Sequence, residues 1–296
     1  LMEERVFAPI GMDSATFDPA VVAANPNHAS PHARALDGSL TPLPISGESV
    51  VLPVQPAGGA WMTIGDLAAY LQTELAHGIA PDGARAVSAA ELERTWAPLT
   101  PISETSSYGL GWSRRNWNGE EKALVLHDGG SFGFTARVAF LPDENFGVAI
   151  MLDAADGRPF VEAVSSRALE LAFDLPATAG DLFASQLADA ANQRAFFTGD
   201  NAPADAARLA GWLGNWTNPD FGALSLEDHD GAAILRSGDT ETALIPSPIP
   251  GHHTGDFLTS TPPAAGIWVT LTEQNGERVI LLHDLTSDRV VQYTRS

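Results

Sequence analysis

The sequence holds no cysteine, one lysine (Lys122) and three tyrosines in 296 residues. Without cysteine there can be no disulfide, thiol nucleophile or thiolate metal site. Basic residues are scarce, 16 against 37 acidic ones, for a net charge of -21. A field of that sign repels nucleic acid and anionic membrane surfaces, and solubility is its simplest consequence. No apolar run approaches the roughly 18 residues needed to cross a bilayer. Glu3, Glu4 and Arg5 interrupt the start before any signal-like stretch develops.

What is present suits a globular chain, with 44% apolar residues and length enough for two domains. In LMEERVFAPIGM, Leu1, Met2, Val6 and Phe7 have helical spacing that stops before Pro9, with no capping residue ahead of it. The chain therefore reads as beginning partway through a domain. Residues 25–56 are rich in Pro, Gly, Ser and Asn and read as a long ordered loop. Thr63 with Asp66 has capping-box spacing, followed by a stripe of Leu67, Tyr70, Leu71 and Leu75 that ends near Gly78. Ser88 with Glu91 opens a shorter helix carrying Leu92 and Trp96.

The period then changes to two. Segments 108–117, 122–127, 134–141 and 147–152 read as strands, joined by connections too short for parallel crossovers, which implies an antiparallel meander. A helix over 159–173 puts Phe160, Val164, Ala168 and Leu171 on one face, and another spans about 179–197. After the linker-like 198–206, eight β segments follow at the spacing of a small barrel: 209–216, 222–227, 232–236, 242–246, 254–259, 266–273, 278–284 and 289–294. The expected fold class is α/β, an antiparallel sheet with helices, over 1–197, plus an all-β barrel over 207–296.

Gly129, Gly130, Ser131, Phe132 and Gly133 satisfy G-x-S-x-G. A nucleophile elbow needs a helix after the serine, whereas Phe134 to Leu141 alternate with period two, which places Ser131 in a hairpin connection. The adjacent His252 and His253 read as loop histidines, because neighbours on a strand face opposite ways. Glu227 to Gly231 read as a hairpin turn rather than a calcium loop. Trp61, Trp112, Trp212, Leu213, Trp216 and Phe221 read as packing residues.

LHDGGSFGFTARVAFLPDENFGVAIML resembles the third-motif strand and following hairpin of the serine β-lactamase and penicillin-binding-protein-like hydrolases, the class C type esterases and D-amino-acid peptidases. RVFAPIGMDSATF, NHASPH, PAGGAWMTIGDLAAYL and YGLGW are similar, in the same order, to other stretches of that family, so the resemblance covers residues 1 to about 175. LAGWLGNWTNPDFG resembles the start of the lipocalin-like barrel often appended to these hydrolases.

The family's third motif, Lys-Thr-Gly or His-x-Gly, falls on His127, Asp128 and Gly129. The resemblance implies that Gly130 offers its N–H to an oxyanion hole and that His127 holds the substrate or the general base. It implies Asp128, Gly129 and His32 as substrate-binding, with His28 and His32 in a loop near the rim, and no metal or cofactor. On the residues alone, HDGG is a strand end with its turn. His in place of Lys at 127 points to esterase or peptidase branches.

The nucleophile motif S-x-x-K is absent, since Gly119 stands three residues before Lys122, and Tyr-x-Asn is absent at all three tyrosines. The expectation is a C-terminal portion of a serine-acyl-enzyme hydrolase. Its partner would be the N-terminal portion carrying S-x-x-K and Y-x-N, and the portion here should expose one sheet edge. Its substrate would be a small-molecule or peptide amide or ester, and the family implies a periplasmic or extracellular location. The alternative is a non-catalytic binding or scaffolding protein that keeps the fold.

Overall fold

A computed structural model describes residues 1–117, 122–198, 202–247, 256–283 and 289–296. Two compact units emerge: Leu1–His32 with Pro44–Ala184, and Ala33–Leu43 with Ser185–Ser296.

In the first unit a π-helical turn, Glu3–Phe7, runs into α1 (Ala8–Ile10), which Gly11 ends at φ 80°. Pro9 does not stop the helix: helical dihedrals run on through Phe7 and Ala8, and the helical run ends only at Gly11. Next comes α2 (Pro19–Ala24), N-capped by the Asp18 side chain on Ala20 N–H. The stretch expected as pure loop carries structure. It forms β1 (His32–Arg34) and its partner β2 (Leu40–Pro42), which apart from His32 belong to the second unit, and a 3-10 segment of the first, Ile45–Ala57. Turn signals dominate this stretch and hid the β1–β2 hairpin, whose connection is closed by Ala35 N–H on the Ser39 carbonyl at 2.9 Å.

Helix α3 (Ile64–Leu75) starts at the Thr63/Asp66 capping box, with both reciprocal bonds made. Ser88 caps α4 (Ala89–Trp96) through Glu91 N–H. The sheet is a six-stranded antiparallel meander in chain order: β3 (Thr100–Ser103), β4 (Ser106–Tyr108), β5 (Ser113–Asn116), β6 (Ala123–Gly130), β7 (Thr135–Leu141) and β8 (Phe146–Leu152). The first expected strand is split, because Gly109 packs on the Thr95 carbonyl and Gly111 takes φ 88°, a left-handed turn open to glycine.

Leu67, Leu71, Leu92 and Trp96 of α3 and α4 cover one sheet face over Trp112, Val125, Val138 and Phe140. On the other face Leu169 of α5 (Arg158–Ala172) meets Leu124, Leu126, Ala139 and Leu141. Val125 and Phe140 are fully buried. Val161, Ser165 and Leu169 form the packed face of α5, while Phe160, Val164 and Leu171 stay exposed at 43%, 36% and 67%. Buried Arg137 meets this face, its guanidinium donating to Ser165 Oγ at 3.1 Å. Helix α6 (Ala179–Thr198) begins where Glu170 accepts from Thr178 N–H and Ala179 N–H, both at 2.7 Å.

The second unit is a closed eight-stranded antiparallel barrel: β9 (Gly214–Asn218), β10 (Gly222–His229), β11 (Ala232–Ser237), β12 (Thr240–Pro246), β13 (Phe257–Thr259), β14 (Trp268–Gln274), β15 (Glu277–His283) and β16 (Val290–Arg295), closed by β16 on β9. Alternating residues fill it: Trp216, Leu226, Ala233, Leu244, Val269 and Ile280 are fully buried. Trp212 and Leu213 pack against that core, whereas Phe221 is 48% exposed with Arg289 over its ring. Asp228 to Gly231 make the β10–β11 turn, where Asp228 Oδ1 accepts from Gly231 N–H at 2.8 Å. His252 and His253 lie outside the described residues.

Candidate active site

Strand β6 changes character halfway. Ala123 to Leu126 are buried, and β5 pairs with β6 only as far as the Ser113/Leu126 register. Among the described residues β6 has one neighbour from His127 onward, β7. Ser131 N–H donates to the Phe134 carbonyl across the turn at 3.1 Å, so residues 131 and 134 form a hydrogen-bonded pair. Antiparallel ladders alternate bonded and non-bonded pairs. Gly130/Thr135 is therefore non-bonded, and the N–H and C=O of Gly130 point away from β7. A Cβ built on Gly130 meets nothing within 4 Å, so open space lies beside it.

His127 faces the α3 side of the sheet. Its Nδ1 bonds the carbonyl of Gly111, and its ring stands edge-on to Trp112 with centroids 6.4 Å apart. A carbonyl only accepts, so Nδ1 carries the proton and, in the neutral ring, Nε2 is left as an acceptor. Beside His127 lies a cleft of about 350 Å³ whose walls include Met62, Tyr70, Leu110, Trp112, Gly129 and Met151. Behind Tyr70 sits Glu74, 3% exposed, which accepts from Trp96 Nε1 at 2.9 Å. Burial pushes the Glu74 carboxyl above its ordinary value, against the opposing hydrogen bonds from Tyr70 and Trp96. The Tyr70 hydroxyl is held far above its usual range by burial and by the Glu74 charge.

Asp128 points to the opposite face, as period two requires. Its oxygens meet Arg137 Nε at 2.5 Å and Nη2 at 2.9 Å, with Arg158 at 3.5 Å. Burial opposes ionisation there, but the Arg137 bonds and charge win and hold the carboxyl below its ordinary value. His32 reaches the turn after Gly130 by its backbone, its N–H donating to the Gly133 carbonyl at 3.1 Å. The His32 ring turns to the carbonyls of Ser30 (2.8 Å) and Asp153 (3.1 Å). Of the five residues singled out in sequence, His127 and Gly129 line the cleft and Gly130 follows on the same free edge. The side chains of Asp128 and His32 are directed elsewhere.

Ser131 occupies a hairpin, with its Oγ donating to Glu48 Oε1 at 3.1 Å and β7 leaving the turn. Trp61 packs edge-on against Phe134, and the Trp112 ring joins the core beneath the cleft. His28 Nδ1 bonds the Asn25 carbonyl within its loop. Sequence reasoning passed over Glu48 and Gly111 and read Tyr70 as part of the α3 stripe. The signal for Glu48 was a single charge in the otherwise uncharged stretch ISGESVVLPVQPA.

A meander sheet between helices with an open strand edge over an apolar cleft defines a class, that of β-lactamase-like and penicillin-binding-protein-like folds. The chain belongs to the beta-lactamase family, whose model matches residues 1–173. Unguisins hydrolase ungD of Aspergillus violaceofuscus (strain CBS 115571) is 26% identical over 184 residues, which is 57% of this chain and 32% of that protein. The octameric penicillin-binding protein homologue from Pyrococcus abyssi aligns over 99% of this chain and 59% of its own, at TM-score 0.50 and 17% identity. A crystal structure of SurE aligns over 100% of this chain and 62% of its own, at TM-score 0.46 and 20% identity. The chain thus spans about a third of the length of the curated relative it matches.

Proposed function

We propose that this chain supplies the substrate-facing strand of a serine acyl-enzyme hydrolase acting on amide or ester carbonyls. The observation that carries the reading is the outward N–H of Gly130, on an edge that β5 leaves free, beside His127 and an apolar cleft. In this mechanism a serine hydroxyl attacks the carbonyl carbon and gives its proton to a base. The C=O electron pair moves onto oxygen, where Gly130 N–H donates to it. Collapse of the tetrahedral intermediate breaks the bond to the leaving group, which takes that proton from the base and departs as alcohol or amine, and water then releases the acyl group as the acid and restores the serine hydroxyl. A fixed donor aimed at such an oxyanion lowers the barrier by ~3–4 kcal/mol. His127, with Nδ1 committed to Gly111, offers Nε2 to a substrate N–H or to the base. Gly129 lets the substrate approach the strand, Asp128 holds that strand from its far side, and His32 borders the turn.

The serine and lysine of S-x-x-K and the tyrosine of Y-x-N are assigned in this reading to an N-terminal portion of the same hydrolase. Two features of the first unit support that partner. Among the described residues β8 pairs with β7 alone, leaving a row of backbone donors and acceptors along its outer edge. The exposed Phe160, Val164 and Leu171 of α5 add an apolar stripe. Among the described residues no helix is long and apolar enough to cross a membrane, and a periplasmic or extracellular site of action is proposed from the family.

Gly130→Pro tests the reading, because proline deletes an N–H that makes no bond to β7. Co-expressed with the N-terminal portion, the variant is expected to lose about 10²–10³-fold in its rate of fluorophosphonate labelling, with its melting transition retained. An unchanged labelling rate would sink the assignment. A folded pair that takes no label at all would favour the scaffolding alternative.

A further inference from the structure

The turn that follows Gly130 is held from two directions. Glu48, 3% exposed, accepts from Ser131 Oγ at 3.1 Å and from Gly133 N–H at 3.0 Å. His32 N–H donates to the Gly133 carbonyl at 3.1 Å. Gly133 has no room for a side chain, since a Cβ would strike Pro31 and the His32 nitrogen, and the Phe132 ring fills the space beside Gly47. All these contacts lie within the first unit.

We propose that Glu48 is the positioning residue of the Ser131–Gly133 turn and, through that turn, of the Gly130 donor. The functional half of the proposal rests on the reading of Gly130 as an oxyanion donor. Glu48 touches no substrate; it fixes the end of a strand whose last two residues, Gly129 and Gly130, have no side chains with which to anchor themselves.

Amide hydrogen exchange on the full chain reads this without any need for activity. Glu48→Ala is expected to raise exchange at Gly133 about tenfold, while Leu71 in α3 keeps its protection, and to slow fluorophosphonate labelling measured with the N-terminal portion present. Glu48→Gln keeps an acceptor oxygen and restores most of the protection and of the labelling rate. Gly133 exchange at the parental rate in Glu48→Ala overturns the hold on the turn. Faster exchange with an unchanged labelling rate overturns the positioning role.

Discussion

Replacing Arg137 by Met should cost the first unit about 3 kcal/mol. The guanidinium is nearly buried, at 4% side-chain exposure, and spans Asp128 with two nitrogens while a third donates to Ser165. Methionine keeps most of the apolar stem and removes the charge, so the loss is one of pairing rather than packing. Breaking a buried pair costs ~3–5 kcal/mol, because the remaining charge stays desolvated. Two features place this case at the low end. Asp128 keeps 20% side-chain exposure, and Arg158 stands 3.5 Å from it, ready to take over part of the pairing. Ser165 is not orphaned, since its hydroxyl also donates to the Glu162 carbonyl at 3.0 Å. For a unit of this size ~3 kcal/mol corresponds to a fall of about 6–12 °C in the calorimetric transition. The double variant Asp128→Asn with Arg137→Met should be less destabilised than the sum of the singles, by more than about 1 kcal/mol. Asp128 titrates below its ordinary value, so its contribution is complete above pH 3.8 and is lost as pH falls through the depressed value. A single-variant loss under about 1 kcal/mol, or strict additivity in the cycle, would refute the reasoning.

Two carboxyls in the first unit are expected to give opposite pH signatures. Glu74 is raised by burial, so its contribution is complete below pH 4.5 and is lost as pH rises through the raised value. Glu74→Gln, which keeps an acceptor for Trp96, should therefore gain on the parent as pH rises, and parallel stability curves would contradict the burial argument. Glu170 is lowered to about 2, because bonds from Thr178, Arg167 and Ala179 outweigh burial. Its contribution is present above pH 4.5 and fades toward pH 2, so Glu170→Gln should flatten the acid limb of the unfolding curve. An acid limb identical to the parent's would count against the α6 cap.

Local rules carried much of the fold. The Thr63/Asp66 box and the Ser88 cap both formed as their spacing implied, because capping bonds close within one helical turn. The meander was legible from period two and short turns, and the same period excluded Ser131 from an elbow. Period two also separates Asp128 from His127, a consequence available in the sequence once the strand is drawn.

The site's supports were of another kind. Nothing near Glu48 in sequence announces that its carboxylate will hold a turn 83 to 85 residues away, or that residues 33–43 will join the barrel. Helical spacing placed Phe160, Val164 and Leu171 together on α5, yet the sheet took Val161, Ser165 and Leu169 instead. The sequence by itself determined the elements, their antiparallel order and the glycine-rich strand end, because propensity, capping and turn geometry act over a few residues. Only the tertiary structure decided which face of α5 is buried, where Asp128 finds its arginines and what fixes the turn beyond Gly130. Those choices depend on close packing and pairing between segments whose separation along the chain leaves no local trace.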